Sequence, residues 1–269
     1  MFSGSSQVVL RYSKAVSTLY RPIAYLPVTK IYLCDKIYIV FIFLKSNILL
    51  LNEYKIYWLL FFLLKHYFYS MDDISFKTVK LSDFTTIKLG GQSDKFVECV
   101  NDDDIISAVK YAHENKLPFQ VLAGGSNSIF PDEGYKGVVI YINSKGISQN
   151  DDLFIVNAGV NWDVFVEFAL LNGYAGIECL SGIPGSVGAT PIQNVGAYGQ
   201  EVSKVIKSVK VLNTETLKFE VFSKKSCGFS YRNSMFKSKS KGKYIITEVT
   251  FDLEFNGEPV IKYKELYDL

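Results

Sequence analysis

The most informative feature of the chain is the concentration of glycine between residues 173 and 199. This stretch reads GYAGIECLSGIPGSVGATPIQNVGAYG and holds seven glycines in 27 positions. Glycines at this density permit positive φ and let backbone N–H groups approach a ligand closely, which allows a protein to hold a pyrophosphate without cationic side chains. A tightly turned loop of the core is the alternative interpretation of the same composition.

A second loop with the same donors, AGGSN at residues 123–127, follows an apolar segment. Two such loops indicate an extended dinucleotide ligand. Neither loop matches a common nucleotide motif: the glycines at 182, 185 and 188 lack the preceding strand and following helix of the Rossmann fingerprint, and GxxxxGK[ST] does not occur. The ligand is therefore expected to be held in another way.

The elements that must position these loops are short strands and helices, which begin at about Met71. Apolar runs predict strands at residues 95–100, 119–123, 137–142, 153–158, 205–212, 218–222 and 244–255. Residues 102–104 predict the N-cap and acidic first turn of a helix that ends near Asn115. A second helix is predicted at residues 161–171 from apolar residues at helical spacing: Trp162, Phe165, Val166 and Ala169. The predicted fold class is α+β.

Charge separates the first 70 residues from the rest of the chain. The whole sequence has 29 Lys+Arg and 27 Asp+Glu, and residues 1–70 hold eight of the former and two of the latter. The body from Met71 onward therefore has 21 against 25, a net charge of −4. An acidic body argues against a nucleic-acid partner. Four scattered cysteines and two histidines predict no metal site and a cytoplasmic location.

Residues 1–70 are an atypical apolar and basic extension. Lysines and Glu53 interrupt the apolar stretch at 31–69, so no uncharged run reaches the roughly 18 residues of a membrane-spanning helix. We favour translated sequence upstream of a true start at Met71. A membrane-associating extension and a helical hairpin of the fold are the alternatives.

Four blocks carry a resemblance to a known family: TTIKLGG (85–91), AGGSNSIF (123–130), SGIPGSVGATPIQNVGAYGQE (181–201) and CGFSYRNSMFK (227–237). In order and spacing they resemble the bacterial UDP-N-acetylenolpyruvoylglucosamine reductases. The resemblance implies an FAD-binding domain of the vanillyl-alcohol-oxidase (PCMH) type with two α+β subdomains, residues 71–142 and 143–258. Residues 259–269 would then begin a substrate-binding domain, so the chain is expected to be incomplete at its C-terminus.

The resemblance also implies the binding residues. Those expected to hold the FAD pyrophosphate are Gly124, Gly125, Ser126 and Asn127. Those expected to line the flavin are Ile183, Pro184, Gly185, Gly188 and Ala189. The candidates for substrate binding are Tyr231, Gln193, Asn194 and Tyr198, although buried amides such as Gln193 and Asn194 also commonly satisfy the backbone of turns.

Arg232 corresponds to the catalytic arginine of that family. The family reaction passes hydride from NADPH through the flavin to the enolpyruvyl ether of UDP-N-acetylglucosamine, which yields UDP-N-acetylmuramate for peptidoglycan precursors. A guanidinium suits the carboxylate or developing enolate, because its planar fork donates two parallel hydrogen bonds and keeps its charge. Without the motif, Arg232 would be interpreted as an ordinary loop arginine.

Two further features of the family cannot be located in this sequence: a Gly-Ser-Phe-Phe-Lys block whose serine donates a proton, and a later glutamate. The alternatives to the reductase are therefore another FAD-dependent oxidoreductase of the same superfamily and a catalytically inactive FAD- or nucleotide-binding remnant. Glu178 and Cys227 are expected to be structural, and the lysine-rich run 237–243 is expected to be a solvated loop.

Overall fold

A computed structural model describes residues 74–258 of the chain. The predictions made for residues 1–70 and 259–269 lie outside these described residues. Between residues 74 and 258, no helix is long and apolar enough to cross a membrane.

The first sheet has four strands in the order β1-β2-β4-β3. They are β1 (Lys77–Lys80), β2 (Gln92–Cys99), β3 (Phe119–Leu122) and β4 (Val138–Ile142). Strands β2 and β3 run parallel to the central β4, and β1 is antiparallel to β2. The sequence of β4, VVIYI, is buried at four of its five positions, as expected for a parallel strand that is covered on both faces.

Helix α1 (Asp102–Glu114) connects β2 to β3. Its N-cap is Asn101, whose Oδ1 accepts a hydrogen bond from the backbone N of Asp104 at 2.9 Å. The Asp104 carboxylate accepts a bond from the backbone N of Asn101 at 3.3 Å in return. The predicted cap at residues 102–104 was therefore wrong by one position. The predicted acidic first turn is confirmed, since Asp102, Asp103 and Asp104 occupy it and their carboxylates interact favourably with the helix N-terminus.

The second sheet has five antiparallel strands in the order β11-β10-β12-β6-β5. They are β5 (Ile147–Asn150), β6 (Leu153–Asn157), β10 (Ile206–Asn213), β11 (Lys218–Ser223) and β12 (Tyr244–Asp252). The strand predicted at 244–255 is in fact two strands. Leu253 turns into the core after β12, and β13 (Glu254–Phe255) leaves this sheet to pair with β7 (Tyr174–Ala175).

Helix α2 (Trp162–Leu171) follows β6. Asn161 caps it by accepting a hydrogen bond from the backbone N of Val164 at 3.1 Å, and Gly173 follows its end with φ +81°. The four apolar residues that predicted this helix are all buried. Trp162 donates its indole N–H to the carbonyl of Leu180 at 2.8 Å, so the helix also fixes the start of the glycine-rich stretch.

One cluster of buried side chains connects the two sheets. It includes Val97 and Ile140 from the first sheet and Phe154 and Val209 from the second. A hydrogen-bonded ion pair between Lys210 Nζ and Asp102 Oδ2, 2.7 Å apart, joins β10 to the start of α1. The loop after β3 and the glycine-rich stretch after α2 are therefore positioned by a common core.

Candidate functional site

The two glycine-rich loops form opposite walls of one cleft with a volume of about 390 Å³. One wall consists of β3 and residues 123–128, and the other contains residues 183–195 and the beginning of β12. All nine residues expected to bind the cofactor line this cleft: Gly124, Gly125, Ser126, Asn127, Ile183, Pro184, Gly185, Gly188 and Ala189. The fold thus brings the two sequence motifs to one place, and their contact with a cofactor stays a prediction.

The walls meet backbone to backbone at Gly124 and Gly185. A Cβ atom on Gly124 would lie 2.7 Å from Gly185 Cα, closer than packed carbon atoms approach. Gly125 is equally constrained, because its φ is +67° and a Cβ there would lie 1.9 Å from the carbonyl oxygen of Phe84. Steric contact therefore requires glycine at both positions, and at Gly125 the backbone conformation requires it as well.

The loop after β3 presents a row of unused hydrogen-bond donors. Among the residues that the structure describes, no acceptor is found for the backbone N–H groups of Gly124, Gly125, Ser126 and Asn127. The loop itself is fixed from behind, since Thr86 N donates to the Gly125 carbonyl at 3.1 Å. Free N–H groups on a fixed loop form an anion-binding surface, because each needs an acceptor that the fold does not supply.

The opposite wall is fixed by hydrogen bonds to the segment between β6 and α2. Trp162 N donates to the Gly185 carbonyl at 3.1 Å, and Gly188 N donates to the Ala158 carbonyl at 2.9 Å. A Cβ atom on Gly188 would lie 2.5 Å from the Ala158 Cβ. This wall is therefore rigid at the point where it faces the cleft.

Asp163 holds the beginning of this wall and was not identified from the sequence. Its Oδ1 accepts hydrogen bonds from Gly182 N and Ser181 Oγ, both at 2.7 Å. These two bonds, the Gly182 bond first, lower the pKa of the Asp163 carboxyl below its ordinary value. An acid in the first turn of a helix next to a glycine-rich loop is the sequence signal that could have indicated it.

Arg232 lies at the tip of a tight turn next to the cleft. Ser230 and Asn233 exchange backbone hydrogen bonds at 3.0 and 3.1 Å, which leaves Tyr231 and Arg232 as the exposed two-residue loop. Arg232 has φ +53°, a conformation that few residues other than glycine adopt without strain. Its carbonyl accepts a hydrogen bond from Lys237 Nζ at 3.0 Å.

Two side chains that follow this turn attach it to the cleft wall. The buried Ser234 donates its hydroxyl hydrogen bond to the Ile192 carbonyl at 2.5 Å, and Phe236 lines the cleft. Arg232 and Tyr231 themselves do not line it. A substrate that contacts Arg232 would therefore lie outside the cleft, at its edge.

The remaining candidates for substrate binding occupy different environments. Gln193 lines the cleft. Tyr198 is 52% exposed, with φ +48°, in the turn between β8 (Gly196–Ala197) and β9 (Gln200–Glu201). Asn194 is only 1% exposed, so it lies behind the surface that a substrate could reach.

The side-chain amide of Asn194 is fully used inside the protein. Its Nδ2 donates to Glu201 Oε2 at 2.9 Å and to the Ser230 carbonyl at 3.1 Å, and its Oδ1 accepts from Ser203 N at 3.0 Å. In this structure Asn194 therefore supports the Arg232 turn. Contact with a substrate would require breaking one of these bonds.

Comparison with known proteins gives the same interpretation of the fold. Residues 93–216 match the sequence model of a family described as FAD binding domain. The chain is 42% identical over 197 residues to UDP-N-acetylenolpyruvoylglucosamine reductase of Thermobifida fusca, an alignment that covers 71% of this chain and 54% of that protein. The reductase of Bdellovibrio bacteriovorus is 40% identical over 191 residues, with 69% and 56% covered. The chain belongs to the UDP-N-acetylenolpyruvoylglucosamine reductase family.

Solved structures confirm the predicted PCMH-type fold and α+β class. The UDP-N-acetylenolpyruvylglucosamine reductase of Thermus caldophilus superposes with a TM-score of 0.58 and 27% identity, covering 68% of this chain and 64% of that one. A 6-hydroxy-D-nicotine oxidase from Arthrobacter nicotinovorans shares the fold alone, with a TM-score of 0.50, 18% identity and 69% and 44% covered. The chain spans about half the length of the curated reductases it matches.

Proposed function

We propose that this chain binds FAD in the cleft and takes part in the NADPH-dependent reduction of the enolpyruvyl ether of UDP-N-acetylglucosamine to UDP-N-acetylmuramate, a cytoplasmic step of cell-wall synthesis. The observation that carries the proposal is the row of N–H groups at residues 124–127, for which the described residues supply no acceptor, on a loop whose Gly124 is in backbone contact with Gly185. The names of the reductase relatives supply the substrate class.

The residues of the cleft fit the proposed cofactor. Its volume of about 390 Å³ is within the usual range for ligand sites. Within the described part of the chain no carboxylate lines the cleft, so no negative charge of these residues repels a pyrophosphate. Apolar side chains from both sheets, among them Val121, Ile142 and Ile246, provide the surface that an aromatic ring system requires.

The chain's own groups would have distinct tasks. When bound, FAD supplies hydride transfer between NADPH and the substrate. The N–H groups of residues 124–127 would hold the two phosphates, and the rigid wall at 183–189 would fix the ring system. Arg232 would bind the substrate carboxylate at the edge of the cleft and stabilise the negative charge that develops as hydride arrives.

The first test is cofactor binding by the full chain. We expect a yellow protein whose flavin is released intact by denaturation, because neither glycine-rich loop contains a histidine that could form a covalent flavin link. Absorbance spectra and titration of the apoprotein with FAD measure this. A colourless protein that cannot be reconstituted with added FAD would contradict the proposal.

The second test separates the two halves of the reaction. Arg232→Lys keeps the charge but loses the fork, so we expect substrate reduction to fall on the order of 10²-fold while flavin reduction by NADPH is unchanged. Stopped-flow absorbance follows both steps, and Lys239→Arg, an exposed position on the segment that follows, is the control. Equal slowing of both steps would mean that Arg232 shapes the flavin site. Bound FAD without substrate reduction in the unaltered chain would support the non-catalytic alternative.

A further inference from the structure

The lysine-rich run at residues 237–243 contains four lysines with four different environments. Lys237 donates to the Arg232 carbonyl at 3.0 Å, and Lys243 Nζ lies 3.8 Å from Glu215 Oε2. Lys239 is exposed and does not line the cleft. Lys241 does line it, and among the described residues no acidic group pairs with it. Lys241 is exposed, in agreement with the predicted solvated loop, but unlike Lys239 it borders the cleft.

The backbone that carries Lys241 is held in place. Lys243 N donates to the Ser240 carbonyl at 3.0 Å, and Gly242 adopts φ +80° to complete the turn. Thr214, which is 5% exposed, donates its backbone N–H to the Lys243 carbonyl at 2.9 Å and its hydroxyl to the same oxygen at 3.0 Å. The position of Lys241 at the cleft edge is thus a property of the fold, and only its side chain is free to move.

Among the described residues that line the cleft, Lys241 is also the one that carries a charge. The backbone donors at residues 124–127 offer hydrogen bonds but no net charge, whereas the pyrophosphate of a dinucleotide carries two negative charges. Since none of the cleft-lining residues between 74 and 258 is a carboxylate that competes for the ammonium group, its charge is available to the ligand.

We infer that Lys241 is a cationic contact for the phosphates of the bound flavin nucleotide, and that it makes the cleft prefer phosphate-bearing flavins to riboflavin. This inference rests on the proposed cofactor. To the backbone N–H groups of the proposed FAD site, the inference adds one side chain that recognises the charge of the phosphates.

The test compares the affinity of the full chain for FAD and for riboflavin, measured by flavin fluorescence at low and high salt. For Lys241→Ala we expect FAD to bind about 3- to 10-fold more weakly and riboflavin to bind unchanged. The salt dependence of FAD binding should also decrease, because the contact is ionic. Lys241→Arg should restore FAD binding, and Lys239→Ala, on the same run of residues, is the matched control that should bind both ligands as the unaltered chain does.

Two results would overturn the inference. Unchanged FAD affinity in Lys241→Ala would show that the ammonium group does not contact the nucleotide. Equal weakening of FAD and riboflavin would show that the side chain shapes the cleft without reading charge. A failure of the proposed function is distinguishable from both, because then the unaltered chain itself would bind no FAD.

Discussion

At the scale of single residues, the site depends on positions where a side chain is missing. Gly124 and Gly185 bring the two walls of the cleft into backbone contact, and Gly125 lies directly against the Phe84 carbonyl. The N–H groups that these glycines present are useful because nothing else in the described fold accepts from them. The smallest substitution at such a position should therefore have a larger effect than the loss of many exposed polar side chains.

Gly124→Ala tests this expectation. Its backbone conformation permits alanine, but the new Cβ would lie 2.7 Å from Gly185 Cα, so the walls must separate. We expect the free energy of unfolding to fall by about 1–3 kcal/mol, the usual range for overpacking, and FAD affinity to fall with it. Urea denaturation and FAD titration measure the two effects.

The control for this substitution is Gly182→Ala in the same region. A Cβ there meets nothing within 4 Å, although φ is +73°. It should lose about 1 kcal/mol from backbone strain without separating the walls, so FAD affinity should be retained. Full FAD affinity in Gly124→Ala would show that the close contact of the walls is not needed for binding.

The proposed role of Arg232 would place function in conflict with stability. It holds φ +53° at the tip of an exposed turn, a conformation that costs roughly 1 kcal/mol for a residue with a side chain. Arg232→Gly should therefore leave the free energy of unfolding unchanged or raise it by up to about 1 kcal/mol, while substrate reduction is lost. Thermal or urea denaturation and turnover measurements check both parts. A clear loss of stability would mean that the guanidinium makes stabilising contacts in the folded protein.

At the scale of elements, helix α2 acts as a connector between the core and the cleft. Its buried face packs in the core, and its first turn holds Ser181 and Gly182 through Asp163. The Asp163 pKa is lower in the folded protein than in the unfolded chain. Its contribution to stability is therefore fully present above the unfolded value and is lost as pH falls through the folded value.

Asp163→Ala should reduce the free energy of unfolding by about 0.5–1 kcal/mol at pH 7, a small value because the carboxylate is exposed. The difference from the unaltered chain should shrink as the pH drops below the ordinary carboxyl pKa. Urea denaturation at a series of pH values measures it. Glu167→Ala, an exposed acid on the same helix, should show no such difference at any pH, and an equal effect there would point to general charge on the helix.

Helices and strands could be predicted from the sequence where their apolar residues follow a regular spacing. The spacing of apolar residues identified α2 together with its core face, because burial on one side of a helix imposes that spacing. Strand β1 (KTVK) and strand β5 (ISQN) were missed because both are short and contain few buried residues. The division between β12 and β13 depends on pairing with β7, a long-range contact that no local pattern encodes.

The site shows the same limit. The glycine loops could be identified because their composition is unusual. Arg232 could be identified as a candidate because the motif around it is unusual. The supporting residues could not: Asn194 looks like a ligand-binding amide in sequence, yet all its hydrogen bonds are internal. Lys241 is indistinguishable in sequence from Lys239, and only the turn fixed by Thr214 places it at the cleft.

At the scale of the whole described molecule, the two sheets share one core, which can be examined through two buried thiols. Cys99 lies in the first sheet and Cys227 in the segment before the Arg232 turn, and both are fully buried. Burial raises the pKa of each thiol to about 12, and since the thiolate is the reactive form, neither should react in the folded protein at pH 8.

The prediction is that the two thiols become reactive together. In a variant with Cys34→Ser and Cys179→Ser, labelling by a thiol reagent across a urea series should give one midpoint for Cys99 and Cys227, because opening either sheet exposes the shared core. Mass spectrometry of peptides assigns the label to each site. An earlier midpoint for Cys227 would mean that the second sheet opens by itself.

The strand order also determines when each part of the cleft can form during synthesis on the ribosome. Every strand of the first sheet has been synthesised once Ile142 is in place, and the loop at residues 123–128 with them. Strand β6 pairs with the preceding β5, but its second partner, β12, ends at Asp252, about 110 residues after Ile142. At about 5–20 residues per second, this delay lasts roughly 5–20 s. During that interval a nascent chain has the first wall of the cleft, whereas the second wall is complete only after β12 has been synthesised. We therefore expect cofactor binding to follow the synthesis of β12.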